Sequence, residues 1–493
     1  MRFLYIALFS IATAGCMVGP DFKSPTAPQV LRYTEKPLPQ KTAPQSQFFA
    51  AGHDVPGQWW GLFHSPKLNT LICTGLENSP TLQAAQAAVR QAQETWRAQF
   101  GALLLPSIDG QFSAVRQRAV TILPGAADSF GGSSVLASTF NQFNAQANFS
   151  YALDIFGGAR RELEMYCAQV DYQQFQLEAA YLTLTANIVT TAITMASLRE
   201  QVIAMQSIIR SQQSQLSILK QQFELGAVSG VEVLTQETQV AQTRALLPPL
   251  QLALAKSRDA LATLIGKFPS CAQLPNIDLD ALSLPKKLPV SLPSCLVRQR
   301  PDIRAQEALL HAASANVGVA TANLFPKITL TGSYGWESNS LSRLFTPQSV
   351  IWNAGVGILQ PIFHGGSLHA ERRAAIAAYE QACAVYRQTV LQAFQNVADS
   401  LESIKHDADT LLAQQRAEIV ARKTLALTQQ QYRLGGINYL VLLNAERQFQ
   451  QATINRIQAQ AARYVDTAAL FQALGGGWWN CDSPAQQLKG SRV

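Results

Sequence analysis

At 493 residues the chain is long enough for two or three domains with sizeable cores. Only 14% of residues are charged, 47% are hydrophobic, and the net charge of +7 is dispersed. No basic block with interleaved aromatics is present, which argues against a nucleic-acid groove.

The N-terminus carries the first specific signal. Arg2 precedes the short apolar run Phe3–Ala12, and Thr13-Ala14-Gly15-Cys16 follows at once. Small residues ahead of a Cys, behind an apolar stretch, form the pattern of a bacterial lipoprotein signal. Residues 1–15 are therefore expected to be removed, leaving Cys16 as the lipidated first residue. Each buried CH₂ of an acyl chain gains about 0.8 kcal/mol, so several chains on one Cys anchor stably. Met17 after the Cys, rather than Asp, favours the outer membrane by analogy with bacterial sorting. Residues 16–60 read as an extended, lipidated segment.

From 61 onwards the chain states one plan twice, as repeats over 61–266 and 300–475. Ala85-Gln86-Ala87-Ala88 resembles Ala305-Gln306-Glu307-Ala308, and Leu105-Pro106 returns as Phe325-Pro326. Ile155-Phe156 returns as Ile362-Phe363, and Gln222-Phe223-Glu224-Leu225-Gly226 as Gln431-Tyr432-Arg433-Leu434-Gly435. Leu264-Ile265-Gly266 matches Ala473-Leu474-Gly475. Five matches in one order, with offsets changing only at loops, mark an internal duplication.

Each repeat reads as helix, two strands, very long helix, turn and helix. The first helix is expected over about 68–104. Two strands follow within about 105–155, where Phe143, Ala145, Ala147, Phe149, Tyr151 and Leu153 alternate with Asn144, Gln146, Asn148 and Ser150. A period of two puts these sets on opposite faces. Segments of about ten residues, apolar on one side and polar on the other, are the pattern of transmembrane β-barrels, and also of soluble sandwiches. Ser129–Ser138 reads as the loop joining the strands. The stretch 158–224 has no proline and is rich in Gln, Ala, Leu and Glu, so it should form one helix of roughly 100 Å at 1.5 Å per residue. Rods of that length pack lengthwise. Within it, Ala179–Leu198 is uncharged over 20 residues and long enough to span a membrane, but five threonines and Asn187 favour packing among helices. Gly226-Ala227-Val228-Ser229-Gly230 reads as a tight turn into a helix over 230–266.

A proline-rich connector occupies 267–299. In the second repeat, strands are expected within about 325–362, with Ile328, Leu330, Tyr334 and Trp336 against Thr329, Thr331, Ser333 and Glu337, then Trp352, Ala354, Val356 and Ile358 against Asn353, Gly355 and Gly357. Asn339–Gln348 is the matching loop. A long helix over 366–433, a turn at Gly435-Gly436-Ile437-Asn438 and a helix over 439–474 complete the plan, with a polar tail over 476–493. Four strands cannot close a barrel around water, and open edges cannot face lipid. The membrane reading therefore requires oligomerisation, and a trimer supplying four strands each gives twelve. Cys73, Cys167, Cys271, Cys295, Cys383 and Cys481 make no CxxC pair and do not cluster with histidine, which argues against a metal site. Cys271 and Cys295 both lie in the proline-rich centre and could close a modest loop as a disulfide, whereas Cys73, Cys167 and Cys383 read as free thiols buried in a helical body. No G-x-S-x-G, H-E-x-x-H or Walker pattern points to an enzyme, and no cofactor is implied.

These residues resemble the TolC-like outer membrane factors, particularly the lipoprotein branch serving RND-type multidrug pumps. Cys16-Met17-Val18-Gly19-Pro20-Asp21-Phe22 looks like the mature start of that branch. Trp59-Trp60, Phe63, Leu68 and Leu71 resemble its first helix, and Ala152-Leu153-Asp154-Ile155-Phe156-Gly157 its strand-to-helix junction. Arg300-Pro301-Asp302-Ile303, Tyr432, Gly435, Tyr439-Leu440 and Leu474-Gly475-Gly476-Gly477-Trp478 complete the likeness.

The resemblance implies a mixed membrane β-barrel and long α-helical barrel. This would be a homotrimer, with a twelve-stranded barrel above a periplasmic helical tunnel, that performs no chemistry. It implies a periplasmic adaptor (membrane fusion) protein and an inner-membrane RND transporter as partners. The turns carrying Gly226, Val228, Gly230, Gly435 and Ile437 would meet the adaptor, and Leu440 with Asn444 would form the gate. Where the family commonly has Leu-Asp-Ala, this chain has Leu443-Asn444-Ala445, which replaces a ring of carboxylates by neutral amides. Type I protein export and a non-channel structural lipoprotein are the alternatives.

Overall fold

The computed structural model describes residues 17–37, 41–42, 47–123 and 134–480. The leader, Cys16, residues 129–133 of the first expected loop, and Cys481 lie outside them. The chain divides into two compact units. One takes residues up to Ser24 with Arg90–Asp171 and Glu307–Ala384, and the other takes Pro25–Val89, Tyr172–Gln306 and Val385 onwards. Each unit thus draws on both repeats.

The strands in chain order are β1 Lys41–Thr42, β2 Gln47–Ala51, β3 Ser107–Leu123, β4 Ser134–Leu153, β5 Lys287–Val290, β6 Lys327–Ser338 and β7 Val350–Leu359. The helices are α1 Pro66–Asn78, α2 Pro80–Leu104, α3 Gly158–Glu224, α4 Gly230–Ala245, α5 Leu247–Leu264, α6 Pro293–Gln299, α7 Pro301–Ala322, α8 Ser367–Arg433 and α9 Tyr439–Ala473. The two rods α3 and α8 each run 67 residues without a break.

Two expected helices are each two in fact, and proline is the reason both times. The helix expected over 68–104 stops at Asn78, because Pro80 holds Ser79 in an extended conformation (φ −67°, ψ 118°) before starting α2. The helix expected over 230–266 breaks at Leu246. Pro248 and Pro249 lack the N–H groups that would bond the carbonyls of Arg244 and Ala245. The C-terminal half of the expected Ser129–Ser138 loop is strand instead, since β4 begins at Ser134.

In the first unit the sheet order is β3-β4-β6-β7, antiparallel throughout. Its registers are regular: Ile108 faces Phe149, Phe149 faces Gly332, and Gly332 faces Ala354. The β3–β4 hairpin runs well past the other two strands, because β4 pairs with β6 only from Phe143 to Leu153. Asp154 caps the start of α3, its carboxylate accepting from the backbone N–H of Ala159 and Arg160, both at 3.0 Å. Carboxylates at helix N-termini stabilise by about 1 kcal/mol. The first described residues are fastened at this junction. Val18 N–H donates to Phe156 O at 3.1 Å, the buried Arg161 guanidinium pairs with Asp21 at 2.6 Å, and Phe22 stacks on His311 at 4.3 Å.

In the second unit the apolar core gathers Trp59, Phe63, Leu68, Ile72, Leu261 and Phe471, with Trp59 stacked on Phe471 at 5.4 Å. Burying one such side chain stabilises by roughly 1.5–3 kcal/mol. The uncharged part of α3 joins this core: Ala186, Ile188, Val189, Ala192 and Ile193 are buried, and Ser257 donates to the Thr191 carbonyl. Arg300 closes the end of α9, donating to Ala473 O at 2.9 Å while Asp302 holds its guanidinium at 2.6 Å. Beside these helices β1, β2 and β5 form a small sheet. Cys271 and Cys295 are free, exposed thiols, so the disulfide reading is not realised; Cys73, expected to be buried, is exposed, and Cys167 and Cys383 are half-buried free thiols.

Candidate functional site

Two places hold the residues singled out in the sequence: the turns at the ends of α3 and α8, and the faces of the four-stranded sheet. Both turns close with the same pair of hydrogen bonds. Ala227 N–H reaches Gln222 O and Gly226 N–H reaches Phe223 O; Gly436 reaches Gln431 O and Gly435 reaches Tyr432 O. This is the Schellman pattern, which needs a left-handed residue at the helix end, and Gly226 (φ 71°) and Gly435 (φ 73°) supply it.

The fold brings the two turns together. Val228 from one, and Gly435 and Ile437 from the other, line one cleft of about 480 Å³ with Gln215, Tyr432 and Tyr439. Val228 packs on a buried cluster of Leu219, Tyr439, Leu442 and Leu443, while Gly230 starts α4 at its edge. The large apolar residues of the turns most open to solvent are Leu225, 84% exposed, and Leu434, 78% exposed. Sequence reasoning passed over this pair. Its signal was the Leu-Gly dipeptide repeated at the two turns, an apolar side chain where the backbone must reverse.

Beneath the cleft a line of side-chain amides joins three helices. The Tyr439 hydroxyl donates to Gln236 Oε1, and Gln236 Nε2 donates to Gln212 O at 2.9 Å and to Gln215 Oε1 at 3.4 Å. Gln215 Nε2 in turn donates to the Glu446 carboxylate, returning the line to α9. Glu446 is buried, and desolvation raises its pKa against the opposing pull of the Gln215 hydrogen bond. Arg447 bridges to α4, donating to Gln239 Oε1 at 2.7 Å and Gln242 Oε1 at 3.2 Å. An amide donates and accepts at once, so such a line needs no ionised member.

On α9 the inward positions Tyr439, Leu442, Leu443, Ala445 and Glu446 are buried. Leu440, Val441 and Asn444 lie on the other side and are exposed, Leu440 at 58%. Leu440 and Asn444 therefore share one solvent-facing stripe, as residues four apart on a helix must.

The sheet separates its residues by chemistry. One face carries Ile108 and Phe112 of β3, Phe143 to Leu153 at alternate positions of β4, Leu330, Tyr334 and Trp336 of β6, and Trp352, Val356 and Ile358 of β7. The other carries Asp109, Gln111, Asn148, Gln146, Ser333, Glu337 and Asn353, tied across strands by Asn148 to Gln111 at 3.2 Å and Gln142 to Glu337 at 2.8 Å. Ile108, Phe112, Tyr334, Trp352, Val356 and Ile358 are all exposed on this chain, although they are large and apolar. Among the described residues no group of His, Cys, Asp and Glu is arranged to hold a metal.

The chain matches the family described as outer membrane efflux protein over residues 71–267 and 292–476. It is 32% identical over 450 residues to the pyoverdine export outer membrane protein OpmQ of Pseudomonas aeruginosa, across 90% of this chain and 94% of that one. With the cation efflux system protein CusC of Escherichia coli it shares 29% identity over 475 residues, 95% of this chain and 98% of that one. The solved outer-membrane channel OprN superposes with a TM-score of 0.84 at 28% identity, covering 94% of this chain and 100% of that chain.

Proposed function

The chain belongs to the outer membrane efflux protein family, and on that premise we propose that it is the outer-membrane exit duct of a tripartite efflux system. It conducts small molecules passively from an inner-membrane RND pump and a periplasmic adaptor, and it is not an enzyme. The observation that carries this reading is the sheet, one face of which is apolar over Ala145–Leu153 and the positions paired with it, while the other is amide-rich. An exposed apolar face of this size has no place in water, and the same residues suit a lipid boundary. The run Phe143–Leu153 rises roughly 33 Å at about 3.3 Å per residue, or about 25 Å once the strand is tilted, which is the height of a barrel's apolar band.

In this reading three chains contribute four strands each to a twelve-stranded barrel, and the helices form the periplasmic tunnel. Cys16, next to the fastened Met17, carries the lipid anchor. The turns with Gly226, Val228, Gly230, Gly435 and Ile437 meet the adaptor, with Leu225 and Leu434 as its apolar handholds. Leu440 and Asn444 close the resting tunnel, the leucines as an apolar collar that water and ions cross poorly and the asparagines as a neutral ring. Relatives named for pyoverdine export and for cation efflux share the same framework, which supports a duct that leaves cargo choice to its partners.

Planar-bilayer recording of the purified protein tests the proposal. Leu440→Ala should raise resting conductance, and Asn444→Asp should strengthen cation preference and make conductance sensitive to pH. Unchanged conductance in the first and unchanged selectivity in the second would place closure elsewhere; no pores at all would overturn the channel reading.

A further inference from the structure

The apolar face of the sheet does not end in neutral loops. Along β3 the residues on that face are Ile108, Gly110, Phe112 and Ala114, then Arg116 and Arg118, and beyond them the exposed Val120. Regular pairing with β4 fixes this, since Ala114 faces Phe143, Arg116 faces Asn141 and Arg118 faces Thr139, with no slip of register. Just below this level the same face carries Tyr334, Trp336 and Trp352, the aromatic residues that mark the edge of a lipid band. Both arginines are exposed, and neither has a carboxylate partner among the described residues. Glu337, the acid at this end of the sheet, lies on the polar face, and Asp109, near the opposite end, does too.

We propose that Arg116 and Arg118 bind the phosphate groups of a phosphorylated lipid in the outer leaflet. The inference rests on the barrel reading above, which puts the helices in the periplasm and hence the far end of the β3–β4 hairpin at the outer surface. Arg116 and Arg118 are two residues apart on one strand face, a backbone spacing of roughly 7 Å, on the side that meets headgroups. Arginine is the residue suited to bidentate phosphate binding, and charge-assisted bonds of this kind are about twice as strong as neutral ones. A cation in mid-band is costly, but at the interface the same side chain is tolerated and gains a counter-ion. The neighbouring Asn141 and Thr139 add uncharged donors without competing charge. In a trimer three such pairs ring the barrel.

The test is native mass spectrometry of the full-length protein, delipidated in neutral detergent and titrated with a bis-phosphorylated glycolipid, its dephosphorylated counterpart, or inorganic phosphate. The wild type should retain the phosphorylated lipid at least about ten-fold better than an Arg116→Gln/Arg118→Gln double variant, and the dephosphorylated lipid should bind the wild type as weakly as the variant binds the intact one. Equal retention by both proteins, or indifference to the phosphates, overturns the inference. Binding of inorganic phosphate without preference for the lipid overturns the lipid source. Quenching by brominated acyl chains, read as the difference between the wild type and Trp352→Phe, reports the sheet face separately. Quenching together with phosphate-indifferent binding sinks this inference alone, whereas no quenching removes the barrel reading and this inference with it.

Discussion

The two repeats follow one plan and differ in how they execute it. As many residues separate Gly226 from Gly266 as separate Gly435 from Gly475, yet the second repeat spans that distance with the single helix α9 and the first with α4 and α5. Nothing has been inserted; Pro248 and Pro249 alone make the difference. Burial differs as well. Counted from the matched glycines, Glu446 of α9 corresponds to Glu237 of α4. Glu446 is buried in the amide line, whereas Glu237 is exposed and reaches Lys220 at 3.8 Å. In the strands the inequality reverses, the first-repeat hairpin being the longer. Duplication set the framework, and each half has since been loaded with different duties.

The sharpest probe of this comparison is the pair of cap glycines. Gly266 and Gly475 both have left-handed backbones, but a Cβ on Gly266 would collide with the Asn78 carbonyl, whereas one on Gly475 would sit 2.9 Å from Gln299 O. Gly266→Ala should cost roughly 3 kcal/mol or more and Gly475→Ala somewhat less. Gly226→Ala and Gly435→Ala, with open space around them, should lose only about 1 kcal/mol of backbone strain. Melting temperatures of the four variants in one detergent decide the order, and equal losses would mean that the packing around these caps is misread.

Next in size is the sheet face, which the two repeats should share. Phe149→Arg should cost about 2–4 kcal/mol more than Asn148→Arg, and Tyr334→Arg more than Ser333→Arg by a smaller margin, because Tyr334 lies nearer the rim of the band. Reconstitution yield and thermal stability in lipid measure both contrasts. Equal tolerance within either pair would reverse the facing of that repeat.

The smallest effect separates Glu446 from Glu237. Burial raises the Glu446 pKa, so the folded state keeps a proton that the unfolded chain releases at the ordinary carboxylate value. Stability should therefore fall as pH rises from that value through the raised one, and then level off. Glu446→Gln should flatten the slope and Glu237→Gln should leave it. Asp407, pushed up to about 7 by burial and its hydrogen bond to Asp466, gives a slope of the same sign. The informative quantity is therefore the difference between variants in urea unfolding at pH 5 and pH 8. An identical slope in Glu446→Gln would remove Glu446 from the proton balance.

What the sequence made legible was whatever has a local period. Alternation over Phe143–Leu153 and Ile328–Trp336 read the sheet faces, because a strand's two sides are written in adjacent letters. Proline-free stretches read α3 and α8. The prolines at 80, 248 and 249 were equally visible, but their effect was outweighed by the length expected of a companion helix. The first strand is legible in the sequence over Leu104–Arg118, and β3 runs on to Leu123, past the point where Arg116 and Arg118 break the apolar alternation. Still less of the cleft could be read. Gln212, Gln215 and Gln236 look like any helix-surface glutamines until three helices meet, and only then does each find its partner.

The sheet order leaves β3 and β7 as edges, each with a row of backbone donors and acceptors turned outward, next to an apolar face. In the proposed trimer, a newly exported copy would present both to water before three chains meet, which is the state most prone to wrong pairing and aggregation. Barrel closure is then a step of order higher than one in chain concentration, while the helical parts can gain structure within a single chain. On that proposal biogenesis would divide into an early, concentration-independent stage and a late one in which the unpaired strands need an escort, so a shortage of chaperone should act on the strands first.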